Sequence, residues 1–238
     1  MNAIYNSIVY VTLSAPVALV GYLIGSIPFA YIIVRAVTGE DITLHGSGNI
    51  GAMNVRRSTD SWGWFIVAML ADGLKGLIPV VAAKTLLFMA PEFALRPAGT
   101  FLGTEYWFVA AFPMAAMAGV ILGHNYSLWI AILKRGFHRT GKGLASGGGA
   151  LLAYDWRYFV VVAGVALIVI ATSRYMLAGQ VAAAITFPVT AIMLRSPDWP
   201  FAVLVGLVVY AAHHKRFMGL LRGREPKFYI HDTIGPRG

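Results

Sequence analysis

Gly46-Ser47-Gly48-Asn49-Ile50-Gly51-Ala52-Met53-Asn54-Val55-Arg56-Arg57 concentrates more chemistry than any other stretch of the sequence. Its three glycines, Gly46, Gly48 and Gly51, permit tight or left-handed backbone and close approach by a ligand. Ser47, Asn49 and Asn54 are short polar side chains, and Arg57 is a guanidinium that can grip two phosphate oxygens at once. Successive backbone N–H groups bared by glycine, joined by such donors, form an anion-cradling nest. Phosphate is the natural guest. The plain alternative is a Gly/Ser/Asn turn between two helices, and the other polar residues decide between them.

Those residues are few. Asp72 and Lys75 lie three apart, on one face of a helix, where they can pair with each other. The depth of Lys75 in its helix is expected to let it reach the glycine loop. His124 follows a glycine near the end of a long apolar run and is either a hydrogen-bonded core residue or a general base. In Arg139-Thr140-Gly141-Lys142-Gly143 a lysine stands between glycines at the mouth of a helix, an arrangement suited to phosphate, with lysine as a point charge. It is not a Walker motif, because the first glycine and the spacing are missing. Arg174 and His213 close two later apolar runs. This set is rich in permanent cations and holds hardly a carboxylate besides Asp72, so it points to phosphate-bearing molecules. A carboxylate–histidine cluster would have pointed to a metal or a proton relay. No metal and no cofactor is expected.

The elements that must position these groups are membrane helices. Of 238 residues, 58% are hydrophobic and only 12% charged, about half the charge of a soluble domain. Residues 1–34, Tyr106–Leu133, Tyr158–Ser173 and Tyr175–Leu194 carry no charge at all, and a helix crossing the hydrocarbon needs about 20 apolar residues. The opening run lacks a basic n-region and is expected to be a span rather than a cleavable signal. There is no cysteine, which removes thiolate nucleophiles from consideration. The expected fold is an all-α integral membrane protein, a single domain over 1–238, with about seven spans: Ile8–Val37, Trp62–Met89, Tyr106–Leu133, Gly143–Tyr154, Tyr158–Thr172, Tyr175–Leu194, and a last one ending near His213. The fourth is short of a full crossing as a helix.

Loop charges orient the spans. With the N-terminus outside, one side receives Arg35, Arg56, Arg57, Lys134, Arg135, Arg139, Lys142, Arg174 and a basic tail over about 215–238. The other receives Arg96, Arg157 and Arg195, with Lys84 at a helix end. The N-terminus is therefore expected outside and the C-terminus in the cytoplasm. The net charge of +9 is accounted for by this topology, and nucleic acid is not an expected partner. Ser47, Asn49, Asn54, Arg57, Lys75, His124, Arg139, Lys142, Arg174 and His213 then gather on the cytoplasmic face, where lipid metabolism is the obvious chemistry.

The motifs resemble those of the bacterial membrane glycerol-3-phosphate acyltransferases that use acyl phosphate as donor. Gly25-Ser-Ile-Pro-Phe-Ala-Tyr31 with Gly46–Arg57 is similar to that family's signature Gly-Ser-Gly-Asn-x-Gly-Ala-Thr-Asn-x-x-Arg. Asp72-x-x-Lys75-Gly76, Gly123-His124, Gly141-Lys142-Gly143 (resembling the end of a Lys-Gly-Gly-Lys-Gly loop) and His213 with Leu220–Glu225 follow in order. The resemblance implies a multi-pass enzyme of the bacterial inner membrane with a cytoplasmic-side site. It would move a fatty acyl group from acyl phosphate to the 1-hydroxyl of glycerol 3-phosphate, giving lysophosphatidic acid and phosphate, with membrane lipids around it and no obligate protein partner. By position, Ser47, Arg57 and Lys142 would hold substrate phosphate, and Gly48, Asn49, Gly51 and Asn54 would cradle the acyl phosphate. Asp72, Lys75, Arg139, Gly141, Gly143 and Arg174 complete the expected binding set. His124 or His213 is a candidate base; a substrate phosphate is the alternative that the resemblance favours. Met53 replaces threonine, Arg139-Thr140 replace Lys-Gly, Arg216 replaces asparagine and Gly219 replaces arginine, so another acceptor is an open alternative. The rival class is a transporter of a phosphorylated solute.

Overall fold

The computed structural model describes residues 2–89, 104–196 and 199–223, which form helices joined by short loops, with no strand among them. Segments Ser14–Thr38, Trp62–Leu86, Phe112–Leu133, Trp156–Ser173 and Met176–Met193 are long and apolar enough to cross a membrane, and Leu144–Tyr154 and Trp199–Ala211 are shorter apolar helices. Pro91, Pro97 and Gly99, which by sequence link the second and third expected spans, lie outside the described residues. The chain divides into two compact units meeting in sequence between Tyr154 and Asp155.

The first unit holds α1 (Asn2–Gly25), α2 (Phe29–Thr38), α3 (Ala52–Thr59), α4 (Trp62–Met89), α5 (Thr104–Asn125), α6 (Leu128–Leu133) and α7 (Leu144–Tyr154). Two backbone-close crossings organise it. Gly21 and Gly25 on α1 face Gly119 and Gly123 on α5, and a Cβ at any of the four would strike main chain of the facing helix. This is the small-xxx-small spacing that lets membrane helices approach until van der Waals contact replaces the missing hydrophobic drive. On α4, Gly76 lies against Ser146 and Ala150 of α7, and Gly149 of α7 lies against Gly73. The opposite face of α4 presents Leu70, Leu74, Ile78 and Val81, all exposed. Its polar residues thus point inward and its apolar ones outward, as a lipid-bathed helix requires. Lys84 Nζ closes α7 by donating to Ala153 O and Tyr154 O, each at 3.1 Å.

The expected continuous first and third spans are each broken. The first parts at Ser26-Ile27-Pro28, between α1 and α2, and the third at Tyr126-Ser127, between α5 and α6. Proline alone does not explain the first break, since Pro16, Pro79, Pro113 and Pro188 all sit inside helices. What stabilises it is partnering of the freed carbonyls. Ser127 Oγ donates to Ser26 O, and Lys75 Nζ donates to Ile27 O at 2.8 Å. Non-helical backbone at membrane depth survives only where protein satisfies it. At the second break Ser127 caps α6, its Oγ accepting from Ile130 N at 3.3 Å.

Beyond the first break, α2 turns its buried face (Ala30, Ile33, Val34) onto Ile42, Ile50, Val55, Ala68 and Ile130. This small apolar cluster seats the glycine loop against α4 and α6.

The second unit holds α8 (Trp156–Ser173), α9 (Met176–Met193) and α10 (Trp199–Leu221), with α9 packed on both neighbours. Asp155 caps α8, accepting from Arg157 N at 2.9 Å. Arg174 ends it in left-handed backbone at φ 61°.

Candidate active site

The glycine loop begins at a fixed point. Asp41 caps the single 3₁₀ turn Ile42–Leu44, accepting from Thr43 N at 2.9 Å and Thr43 Oγ1 at 2.6 Å, and pairs with Lys134 from the far side of α6. Burial pushes the Asp41 carboxyl up. The Lys134 ammonium and the two Thr43 donors outweigh that and bring it to about 2. Gly46 and Gly48 then take left-handed backbone, at φ 53° and 67°. At Gly46 the requirement is also spatial, because a Cβ there would overlap the Asn54 carboxamide and touch the Arg57 side chain. Asn54 is almost wholly buried. Its Nδ2 donates to Ile42 O and His45 O, each at 3.0 Å, and its Oδ1 accepts from Ser47 N at 3.3 Å.

This corrects the expected nest of bared amides. Gly48 N donates to His45 O, Asn49 N to Ser47 Oγ, Ile50 N to Thr140 O and Gly51 N to Asn49 O. The loop spends its own amides on its own shape, and Asn54 is the staple that holds it. The donors that a helix start cannot satisfy from within are those of the first turn of α3, at Ala52 and Met53. In the same stretch Asn49 and Arg57 are half-buried and Ser47 is exposed.

The second loop, Gly136–Gly143, returns from α6 to α7. Thr140 N donates to Asn125 O at 2.9 Å, and Thr140 O accepts from Ile50 N at 2.7 Å. That bond joins the two loops; Arg57 stands on α3, which the first loop enters, and Lys142 on the second loop. Arg139 is exposed, and Lys142 is half-buried at the entrance to α7. Gly143, at φ 73°, starts that helix, and a Cβ there would press on Asn125 Oδ1.

Behind the loops lies a buried polar knot. Lys75 Nζ stands 2.8 Å from Asp72 Oδ1, as the spacing predicts. Lys75 reaches Ile27 O rather than the glycine loop, because the broken first span turns that carbonyl, which also accepts from Phe29 N at 3.1 Å, towards α4. His124 falls in the last turn of α5, where the third span ends as a continuous helix. Its Nδ1 lies 3.0 Å from Ser146 Oγ and 3.8 Å from Asp72 Oδ1. A Cβ on Gly141 would overlap its Nε2, so Gly141 permits the loop to lie flat on the imidazole. Ser26, Asp72, Lys75, His124, Ser127, Thr140 and Ile50 line a cavity of ≈ 10 Å³, room for about one water and too small for a substrate. Ser26 Oγ, facing it, has no protein partner.

Arg174 and His213 belong to the second unit. Arg174 is exposed, and the His213 side chain lies outside the described residues. Ser26, Asn125 and Ser127 were not singled out from the sequence, although Ser127 before the apolar Leu128–Leu133 is a readable helix-cap signal.

Residues 15–223 match the glycerol-3-phosphate acyltransferase family. The chain is 35% identical to the glycerol-3-phosphate acyltransferase of Thermosynechococcus vestitus over 88% of its length and 92% of the relative's. It is 33% identical to the one of Gluconobacter oxydans, over 90% and 92%. Its fold is similar to the crystal structure of PlsY (YgiH), an integral membrane glycerol 3-phosphate acyltransferase, in the glycerol 3-phosphate form. There the TM-score is 0.69 at 25% identity, covering 91% of this chain and 96% of the other. An all-α integral membrane protein whose match to the family spans both loops, the buried knot and the second unit, this chain belongs to the glycerol-3-phosphate acyltransferases.

Proposed function

We propose that the protein transfers a fatty acyl group from acyl phosphate to the 1-hydroxyl of glycerol 3-phosphate at the cytoplasmic face of a bacterial inner membrane. The observation that carries this reading is the bond from Ile50 N to Thr140 O, which joins the Arg57 loop to the Lys142 loop. One phosphate-bearing molecule held at each loop would meet the other at that seam. Arg57, Ser47 and the first turn of α3 serve one phosphate, and Lys142 with Arg139 and the start of α7 serve the other. PlsY (YgiH) has been crystallised in a glycerol 3-phosphate form and in a lysophosphatidic acid form, which fits a substrate and a product of this transfer.

In the reaction the acceptor oxygen attacks the acyl carbonyl carbon, the carbonyl–phosphate C–O bond breaks, and the hydroxyl proton leaves with phosphate. The donor is already activated, so alignment and neutralisation of the departing charge do most of the work. The packing of His124 against Ser146, Asp72 and Gly141 supports a substrate phosphate as proton acceptor, with the imidazole holding the loop.

The test is turnover of the purified protein with acyl phosphate, acyl-CoA or acyl carrier protein as donor, and with glycerol 3-phosphate, glycerol or other phosphorylated polyols as acceptor. Lysophosphatidic acid and phosphate in equal amounts from the first donor alone are expected. Arg57→Ala and Lys142→Ala should each lower kcat by at least about a hundredfold, as removal of a preorganised donor at developing charge does. Turnover with thioesters only, or near-normal rates in both variants, would overturn the reading. The broken first and third spans are also a transporter feature. Uptake of labelled glycerol 3-phosphate into vesicles without acyl transfer would favour that class instead.

A further inference from the structure

Thr140 stands where the Lys-Gly-Gly-Lys-Gly pattern that this loop resembles has glycine. It is buried, with 4% of its surface exposed, and each of its hydrogen-bonding groups is used. Its N–H donates to Asn125 O at 2.9 Å and its carbonyl accepts from Ile50 N at 2.7 Å. Its hydroxyl donates to His124 O at 2.7 Å and accepts from Ser127 N at 3.3 Å. Glycine could make only the two backbone bonds. The two hydroxyl bonds reach the break between α5 and α6, where His124 O and Ser127 N have lost helical partners, and they pin the orientation of the residue. That orientation in turn aims the carbonyl at Ile50 and sets where the chain goes next, two residues before Lys142.

We propose that Thr140 is a positioning residue for acyl transfer: its hydroxyl locks the Lys142 loop to the glycine loop, so that the substrates held on the two loops meet in register. The inference rests on the functional reading above. Thr140 touches neither substrate in this scheme and acts through the seam. Loss of the hydroxyl leaves a carbonyl and an amide without partners in a buried break, and the loop shifts to find others. Each loop still binds its own substrate, but the reacting atoms are displaced, and an error of about 1 Å can cost a hundredfold in rate.

The experiment is steady-state kinetics, with both substrates varied, on Thr140→Val, Thr140→Ser and Thr140→Gly beside Arg57→Ala and Lys142→Ala. Rates are normalised to the folded monodisperse fraction, and melting temperatures are measured in parallel. Thr140→Val is expected to lower kcat by about tenfold or more, with each KM within about threefold of wild type, and Thr140→Ser to restore kcat to within about threefold. Thr140→Gly, although it restores the familiar pattern, is expected to fall with Thr140→Val rather than rise. If Thr140→Val does not fold, Thr140→Cys carries the test, since it keeps a small donor of weaker strength and should give a kcat between those of serine and glycine. A kcat for Thr140→Val within twofold of wild type overturns the proposal, as does, where Thr140→Val does not fold, a kcat for Thr140→Cys equal to or above that of Thr140→Ser. So does a loss confined to one KM, or one accounted for by the unfolded fraction. Should Thr140→Val be silent while Arg57→Ala and Lys142→Ala abolish turnover, the positioning role alone fails. Normal turnover in those two variants would remove the functional reading beneath it.

Discussion

At the scale of single residues, the site separates groups that face the open loops from groups spent on internal structure. Asp72, Lys75 and His124 look alike in sequence to Arg57 and Lys142, as polar residues in or beside apolar runs. Burial distinguishes them. Removing either member of the Asp72–Lys75 pair strands a charge, which costs about 3–5 kcal/mol at buried sites. His124→Asn is expected to reduce kcat while leaving the shape of the pH–rate profile unchanged, because an orienting group contributes no titration. Loss of the acidic limb of that profile would identify a base instead. Asp41 yields a prediction of a different kind. Its folded pKa of about 2 lies below the ordinary 3.8, so its ionised form stabilises the fold above about pH 4, and that contribution disappears as pH falls towards 2. Asp41→Asn should therefore lower the melting temperature at pH 7, and the difference from wild type should shrink between pH 4 and pH 2. A constant difference across that window would remove the Lys134 pair from the account. The sequence identified the participants in the glycine loop but not their division of labour. Asn54 reads as a ligand because it lies among donors, and only its burial shows that its amide closes the turn.

At the scale of elements, the glycine pairs 21 and 25, and 119 and 123, have GxxxG spacing, a pattern not drawn on in reading the spans from sequence, and spacing alone does not say which helix faces which. Gly149→Val is expected to force α7 off α4 and to lower the melting temperature, since overpacking a tight contact costs about 1–3 kcal/mol. The Lys142 loop feeds directly into α7, so kcat should fall with it. Gly147→Ala, at a position where a Cβ meets nothing within 4 Å, is the matched control and should be silent on both measures. Hydropathy placed the apolar spans and could not place their breaks. Apolarity measures transfer into lipid, whereas a break depends on whether some other helix supplies partners for the freed carbonyls. Here Ser127 and Lys75 supply them, from positions 101 and 48 residues away in sequence.

For the whole molecule, orientation is the testable claim. The lopsided distribution of Lys and Arg leads us to propose that the loops at Gly39 and Gly136 share the cytoplasmic side. Because the chain has no cysteine, single substitutions Gly39→Cys and Gly136→Cys report on this without background. Both should resist a membrane-impermeant maleimide in intact cells and react in inverted vesicles, and labelling of either from outside would reverse the assignment. Composition and charge alone settled that the chain lives in a membrane, because 12% charged residues cannot cover a water-facing surface. They also drew the phosphate proposal to two loops, where glycine stands beside arginine or lysine. Only the tertiary structure decided that the two loops are one assembly and that the histidine faces inward. Those outcomes depend on hydrogen bonds such as Ile50 N to Thr140 O, between groups that every residue possesses. Their pairing is chosen by helix packing rather than by any side chain the sequence displays.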